Sequence, residues 1–281
     1  MSAQPLVRVR MQSACQHSEF ALQVSNLNLV LDNHQILQNI SFDVTEGQFI
    51  GLLGPNGAGK SSLLRCLYRF FIPSSGQITL FNKTISSFSH NEYAQQVAVV
   101  LQEMPEHFNL SLYDVVAMGV TPHKSLFSPL NKADHELIAK SIEQVGLVHK
   151  INEAFAHLSG GEKQRALIAK AMAQKPRLLI MDEPTSHLDV KYQIQIMELA
   201  KAMGITVIAS FHDLNLAAAM SDSLLVLQQG ELYKSGAPSD VLDAQLLSDV
   251  FDVCAEVSQV PCPYRDKTHI PHIRYHFGYQ L

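Results

Sequence analysis

Gly54-Pro55-Asn56-Gly57-Ala58-Gly59-Lys60-Ser61 combines glycines, a lysine and a hydroxyl in the spacing G-x-x-x-x-G-K-[ST]. These residue types suit a polyphosphate. Residues without Cβ let the backbone curl so that successive N–H groups converge on phosphate oxygens, and a helix starting at the end of the loop adds its partial positive charge. Lys60 is expected to contact the β and γ phosphates and Ser61 to ligate Mg²⁺, with Ser62 completing the cradle. A turn that merely connects two elements has no need of both a lysine and a hydroxyl at a helix start. By itself the motif does not separate kinases, GTPases and transporters.

A second chemical feature closes the apolar run Arg177-Leu178-Leu179-Ile180-Met181: two adjacent carboxylates, Asp182 and Glu183. Ligands of doubly wound sheets gather at the carboxyl ends of strands, and neighbouring residues on a strand point to opposite sides. Asp182 is therefore expected to serve Mg²⁺, while Glu183 faces the γ-phosphate and polarises an attacking water. A solvated strand end or the beginning of a helix cap is the structural alternative.

Between these features lies Leu158-Ser159-Gly160-Gly161-Glu162-Lys163-Gln164-Arg165. Ser159 and the two glycines at the start of a helix offer a hydroxyl, N–H groups and a helix dipole to an anion. This segment resembles the signature sequence of ATP-binding-cassette (ABC) proteins, and its position between the phosphate loop and the Asp-Glu strand is that of the family. The resemblance runs from about Val24 to Gly236 and takes in further elements in order. Gln102 resembles the loop glutamine that senses Mg²⁺ and water, Ser186-His187-Leu188-Asp189 the D-loop, and His212 the switch histidine.

The resemblance implies an ATPase that binds ATP and Mg²⁺ and forms a head-to-tail homodimer, each γ-phosphate lying between one chain's Lys60 loop and the Ser159 segment of the other. It also implies a separate membrane permease and, for an importer, a solute-binding protein that acts indirectly. The segment from Gln102 to Val120 is the expected permease contact. Val116 to His123, His212 to Ala217, Gly236 and Val241-Leu242 are similar to the group importing iron-siderophores, haem and vitamin B12, although that group often has Arg where this chain has Val120. Exporter or lipid-transporter cassettes share the catalytic residues. A soluble cassette acting on ribosomes or DNA is less compatible, since such proteins tend to carry two cassettes or a long coiled coil. ABC cassettes also commonly place an aromatic residue where Leu31 stands, so adenine is expected to lose a stacking partner here.

The elements that must position these groups are legible in outline. Ala21 to Val30 and Gln35 to Val44 alternate around Asp32-Asn33 as a hairpin would, and Gln48 to Leu53 is an apolar strand leading into the glycine loop. Ser61 to Phe70 follows as a helix, with Leu63, Leu64 and Leu67 apolar. Gln77 to Phe81 and Val97 to Leu101 read as strands, and Leu110 to Gly119 and Lys132 to Gly146 as helices. From Arg177 onward, strand and helix alternate, the pattern of a parallel sheet. The fold expected is a P-loop NTPase core of α/β class, with an N-terminal antiparallel β subdomain and an inserted α-helical subdomain at about 103–172. Residues 1–20 form an extension, 21–258 the ATPase domain and 259–281 an irregular tail. His269, His272 and His276 near Cys262 match no closed zinc spacing and are read as solvated imidazoles.

Bulk properties agree with that assignment. The chain has 281 residues, 47% hydrophobic and 17% charged, enough for one large α/β domain. Its 21 basic and 26 acidic residues give a net charge of −5, which argues against a nucleic-acid partner. No apolar run approaches the roughly 20 residues needed to span a bilayer, and the first twenty residues lack the apolar core of a signal peptide. The 4 cysteines, without a C-x-x-C pair, suit reduced thiols. The expected location is peripheral, on the cytoplasmic face of the inner membrane.

Overall fold

The computed structural model describes residues 20–101, 110–125, 128–186, 188–261 and 269–276. Strand β1 (Phe20–Leu31) pairs antiparallel with β2 (His34–Thr45), Leu31 opposite His34. The turn between them has φ of 48° at Asp32 and 63° at Asn33, a left-handed pair that these two residue types tolerate because their short side chains satisfy nearby backbone. The apolar strand β3 (Phe49–Leu53) is buried throughout and leads through the glycine loop into α1 (Lys60–Leu67).

Strands β4 (Ser75–Leu80) and β5 (Lys83–Thr84) complete a four-stranded antiparallel sheet with β1 and β2. Next come α2 (His90–Gln96), β6 (Val97–Val100), α3 (Leu112–Ala117), α4 (Lys132–Gln144) and α5 (Gly160–Gln174). Helices α3 and α4 start at Ser111 and Asn131, whose side chains accept N–H bonds from Asp114 and Asp134 three residues on. Both helices pack on α5, forming the expected helical insert.

The remaining α/β alternation consists of β7 (Leu178–Met181), α6 (Val190–Ala202), β8 (Thr206–Ser210), α7 (Leu214–Met220) and β9 (Ser223–Gln228), closed by β10 (Glu231–Gly236). The second sheet has the order β10-β9-β3-β8-β7-β6, and its strands run parallel except β10, which is antiparallel to β9. Strand alternation loads both faces with apolar side chains. Leu179 and Met181 pack toward the helical insert, whereas Leu178 and Ile180 pack toward α1 and the antiparallel sheet.

Helices α8 (Pro238–Val241) and α9 (Ala244–Phe251) precede an antiparallel pair, β11 (Ala255–Pro261) and β12 (His269–Tyr275). The expectation of an irregular tail from residue 259 is therefore corrected for 259–261 and 269–275. Ile273 sits opposite Val257 and is buried in the main core, and Asn215 of α7 fastens it by accepting its N–H at 2.8 Å and donating to its carbonyl at 3.2 Å. Two prolines fit because a two-stranded ladder has edges where an absent N–H costs nothing. Among the described residues, no helix is long and apolar enough to cross a membrane, and no cluster of three or more His, Cys, Asp or Glu could hold a metal ion. Cys262 lies outside the described residues.

Candidate nucleotide site

The glycine loop is wedged between the two sheets. A Cβ on Gly54, where φ is 147°, would meet the Leu227 carbonyl oxygen of β9 at 2.3 Å, and one on Gly59, where φ is 100°, would meet Leu37 of β2 at 2.7 Å. Neither contact could be relieved cheaply at a backbone atom or inside a packed core, so both positions require glycine. Pro55, Asn56, Gly57 and Ala58 form the arch between them, with Asn56 and Gly57 exposed and Ala58 buried.

Lys60 opens α1 with its side chain folded back under this arch, and Nζ donates to the carbonyls of Gly54 at 2.7 Å and Pro55 at 3.2 Å. Burial lowers the pKa of this ammonium below the ordinary lysine value, while the Glu183 and Asp182 carboxylates oppose that shift. Ser61 donates its hydroxyl to Asp182 Oδ1 at 3.2 Å; Ser62, partly buried, follows on the helix.

Asp182, only 8% exposed, also accepts from the Ser210 hydroxyl at 3.0 Å. Ser210 Oγ in turn accepts the Glu183 N–H at 2.7 Å. The hydroxyl at the end of β8 thus holds both members of the acidic pair, a role the sequence reading did not assign. Its signal was a hydroxyl closing the apolar strand two residues before His212.

Glu183 does not continue the strand geometry expected of it. Its φ of 47° is left-handed, uncommon for a residue bearing Cβ, and the chain turns sharply there. The two carboxylates therefore diverge through a backbone bend as well as through strand alternation. Glu183 Oε1 lies 2.7 Å from His212 Nε2, and Oε2 accepts from the Ser186 hydroxyl at 3.3 Å. Gln102 and His187 lie outside the described residues.

Ser159, Gly160 and Gly161 form a second cluster at the start of α5. The Ser159 N–H and hydroxyl both donate to Glu162 Oε2, at 2.9 and 2.8 Å. A Cβ on Gly161 would come 3.0 Å from the Tyr192 ring and one on Gly160 3.4 Å from Leu188, so the signature helix abuts the segment containing Asp189. Asp189 precedes α6, and its carbonyl accepts from the Tyr192 and Gln193 N–H groups. Leu31 is partly buried at the end of β1 and packs with Ile36 against the core that contains Ala58. Val120 is 2% exposed within the core of the helical insert, where an arginine could not be accommodated without a partner.

The family model described as ABC transporter matches residues 37–186. The chain belongs to the ABC transporter family. It is 32% identical over 234 residues to the ferric enterobactin transport ATP-binding protein FepC of Escherichia coli, covering 82% of this chain and 86% of that one. It is 37% identical over 244 residues to the hemin import ATP-binding protein HmuV of Shewanella denitrificans, covering 84% and 94%. Among solved structures, an ABC transporter in an inward-facing conformation superposes with a TM-score of 0.79 at 27% identity, covering 92% of this chain and 98% of that one. As an ABC ATP-binding subunit, the chain is a nucleotide-binding ATPase.

Ser210 supplies the prediction here. Ser210→Ala leaves the Glu183 N–H without its acceptor and deprives Asp182 of one of its hydroxyl donors. It should cost about 1–3 kcal/mol of stability, measured by chemical unfolding, and reduce ATP turnover by about tenfold or more. Unchanged stability and turnover would show that Ser210 does not hold the acidic pair.

Proposed function

We propose that this chain is the ATP-hydrolysing subunit of an importer for an iron chelate, a siderophore complex or haem, and that it works as a head-to-tail dimer on the cytoplasmic face of a membrane permease. The observation that carries the catalytic part is the convergence of Lys60, Ser61, Asp182, Glu183 and His212 at the carboxyl ends of β3, β7 and β8. The names of the relatives support the substrate class.

In this reading, the N–H groups of residues 57–61 take the β-phosphate and Lys60 leaves the Gly54 and Pro55 carbonyls to span the β and γ phosphates. Ser61 and Asp182 present hard oxygen donors suited to Mg²⁺, which when bound would neutralise charge between the β and γ phosphates. Gln102 belongs to the same ion and water by family resemblance. Glu183 accepts a proton from the attacking water as its oxygen bonds to γ-phosphorus and the bond to the ADP oxygen breaks. His212, at 2.7 Å, orients that carboxylate. The Ser159, Gly160 and Gly161 segment of a second copy closes over the γ-phosphate, and Asp189 lies beside that seam.

ATP binding would then close the dimer, and closure would move the permease between its access states. The permease contact is assigned to the segment from Gln102 to Val120. Leu101, just before this segment, and Met118, within it, are exposed apolar residues. A solute-binding protein would act on the permease and touch this chain only indirectly.

Glu183→Gln should bind ATP normally, lose about a hundredfold or more in turnover and accumulate an ATP-bound dimer visible by sedimentation. Turnover near that of the unaltered chain would remove Glu183 from the role of base. For the substrate class, pull-down in mild detergent should recover a permease whose ATPase complex is stimulated by an iron-chelate-loaded binding protein. Recovery of an exporter permease instead would contradict the importer reading.

A further inference from the structure

The signature serine is already engaged. A hydroxyl has one proton to donate, and that of Ser159 goes to Glu162 Oε2 at 2.8 Å. The same oxygen takes the Ser159 N–H at 2.9 Å. A carboxylate so placed competes with an incoming phosphate for that proton and also repels its charge. The structure answers this with a lysine from outside the motif: Lys150 Nζ lies 3.0 Å from Glu162 Oε1, the carboxylate oxygen that Ser159 does not use.

Lys150 is well fixed for this purpose. It closes a short 3₁₀ turn, Val148–Lys150, braced by hydrogen bonds from Lys150 N–H to the Leu147 carbonyl and from Glu153 N–H to the Lys150 carbonyl. The following stretch is tied to α3, because the Leu112 and Tyr113 N–H groups donate to the carbonyls of Glu153 and Ile151. Its side chain is 24% exposed and that of Glu162 17%, so screening by water is incomplete at the contact. Glu153, at 3.5 Å, is a second and looser partner.

We propose that Lys150 is a positioning residue for ATP hydrolysis: by drawing off the charge of Glu162 it lets Ser159 release its proton to the γ-phosphate held by the opposite subunit. The claim rests on the composite-site reading of Ser159 given above. Consistent with close pairing, the Ser159 N–H, then Lys150 and, more weakly, the Ser159 hydroxyl hold the Glu162 carboxyl down at about 2 against the opposing effect of burial. Glutamine at the same helix position can keep the reciprocal cap with serine while carrying no charge, so it separates charge compensation from mechanical bracing.

The test uses the full chain and four variants: Lys150→Met, Lys150→Arg, Glu162→Gln and the double variant Lys150→Met with Glu162→Gln. ATP affinity of the monomer is read by fluorescence titration, and turnover and ATP-dependent dimerisation are read at saturating ATP. Lys150→Met should leave monomer affinity unchanged and lower turnover and dimer formation about five- to tenfold, the scale of one uncompensated charge at a partly screened contact. Lys150→Arg should restore both. Glu162→Gln should remove the need for Lys150, so the double variant should recover to within about twofold of Glu162→Gln alone.

A double variant as impaired as Lys150→Met would show that the ion pair only braces the helix and would overturn the proposal, as would a Lys150→Met chain with normal turnover. Ser159→Arg, measured alongside, tests the underlying reading separately. If that variant dimerises and hydrolyses ATP normally, the composite site fails; if it is inactive while Lys150→Met is normal, only the role of Lys150 fails.

Discussion

A buried carboxylate at the mouth of a parallel sheet organises the rest of this molecule. Asp182 is held by hydroxyls from two elements, Ser61 at the start of α1 and Ser210 at the end of β8, and the buried ammonium of Lys60 lies within its field. Removing such charges from water is costly, and replacing them with apolar side chains would often stabilise a fold. In the proposed function their retention is preorganisation: the dipoles and charges that a nucleotide phosphate and its cation would need are fixed by the sheet in advance. The glycine loop meets the same constraint from the other side, because Gly54 against Leu227 and Gly59 against Leu37 leave it no room to collapse.

Two clusters result, and each is electrostatically tense. One gathers Lys60, Ser61, Asp182, Glu183, Ser210 and His212; the other gathers Lys150, Ser159, Glu162 and the glycines that abut Leu188 and Tyr192. In the proposed function the first would place phosphates, a cation and a water. The second ends in a serine at a helix N-terminus. A head-to-tail pair of chains would bring the two kinds of cluster together twice over, and the Asp189 segment, which abuts the signature helix, would couple them.

How much of this was legible in the sequence depends on the range of the interaction. The hairpin around Asp32-Asn33, the run ending at Met181 and the helix Leu214–Met220 are set by local pattern and appear where periodicity places them. The placement of the glycine loop between strand and helix and of the Asp-Glu pair at a strand end was readable because residue type and spacing set it locally. Three features depend on contacts between distant segments. Ser210 matters only because the sheet sets β8 beside β7, and Lys150 only because its turn folds back on the start of α5. The left-handed bend at Glu183 replaces an expectation drawn from regular strand geometry. The ladder of β11 and β12 went unread because histidines and prolines mask its alternation, although Ile273 reaches the core and Asn215 secures it.

In the proposed dimer each hydrolytic site is shared between two copies of the chain. The most direct measurement of this sharing mixes two inactive variants, Lys60→Ala and Ser159→Arg, under conditions in which subunits exchange, and follows ATP hydrolysis together with heterodimer formation. Activity should reappear with the heterodimers, since each retains one site with an intact loop facing an intact serine. Heterodimers that form in full yet hydrolyse no ATP would contradict the shared site.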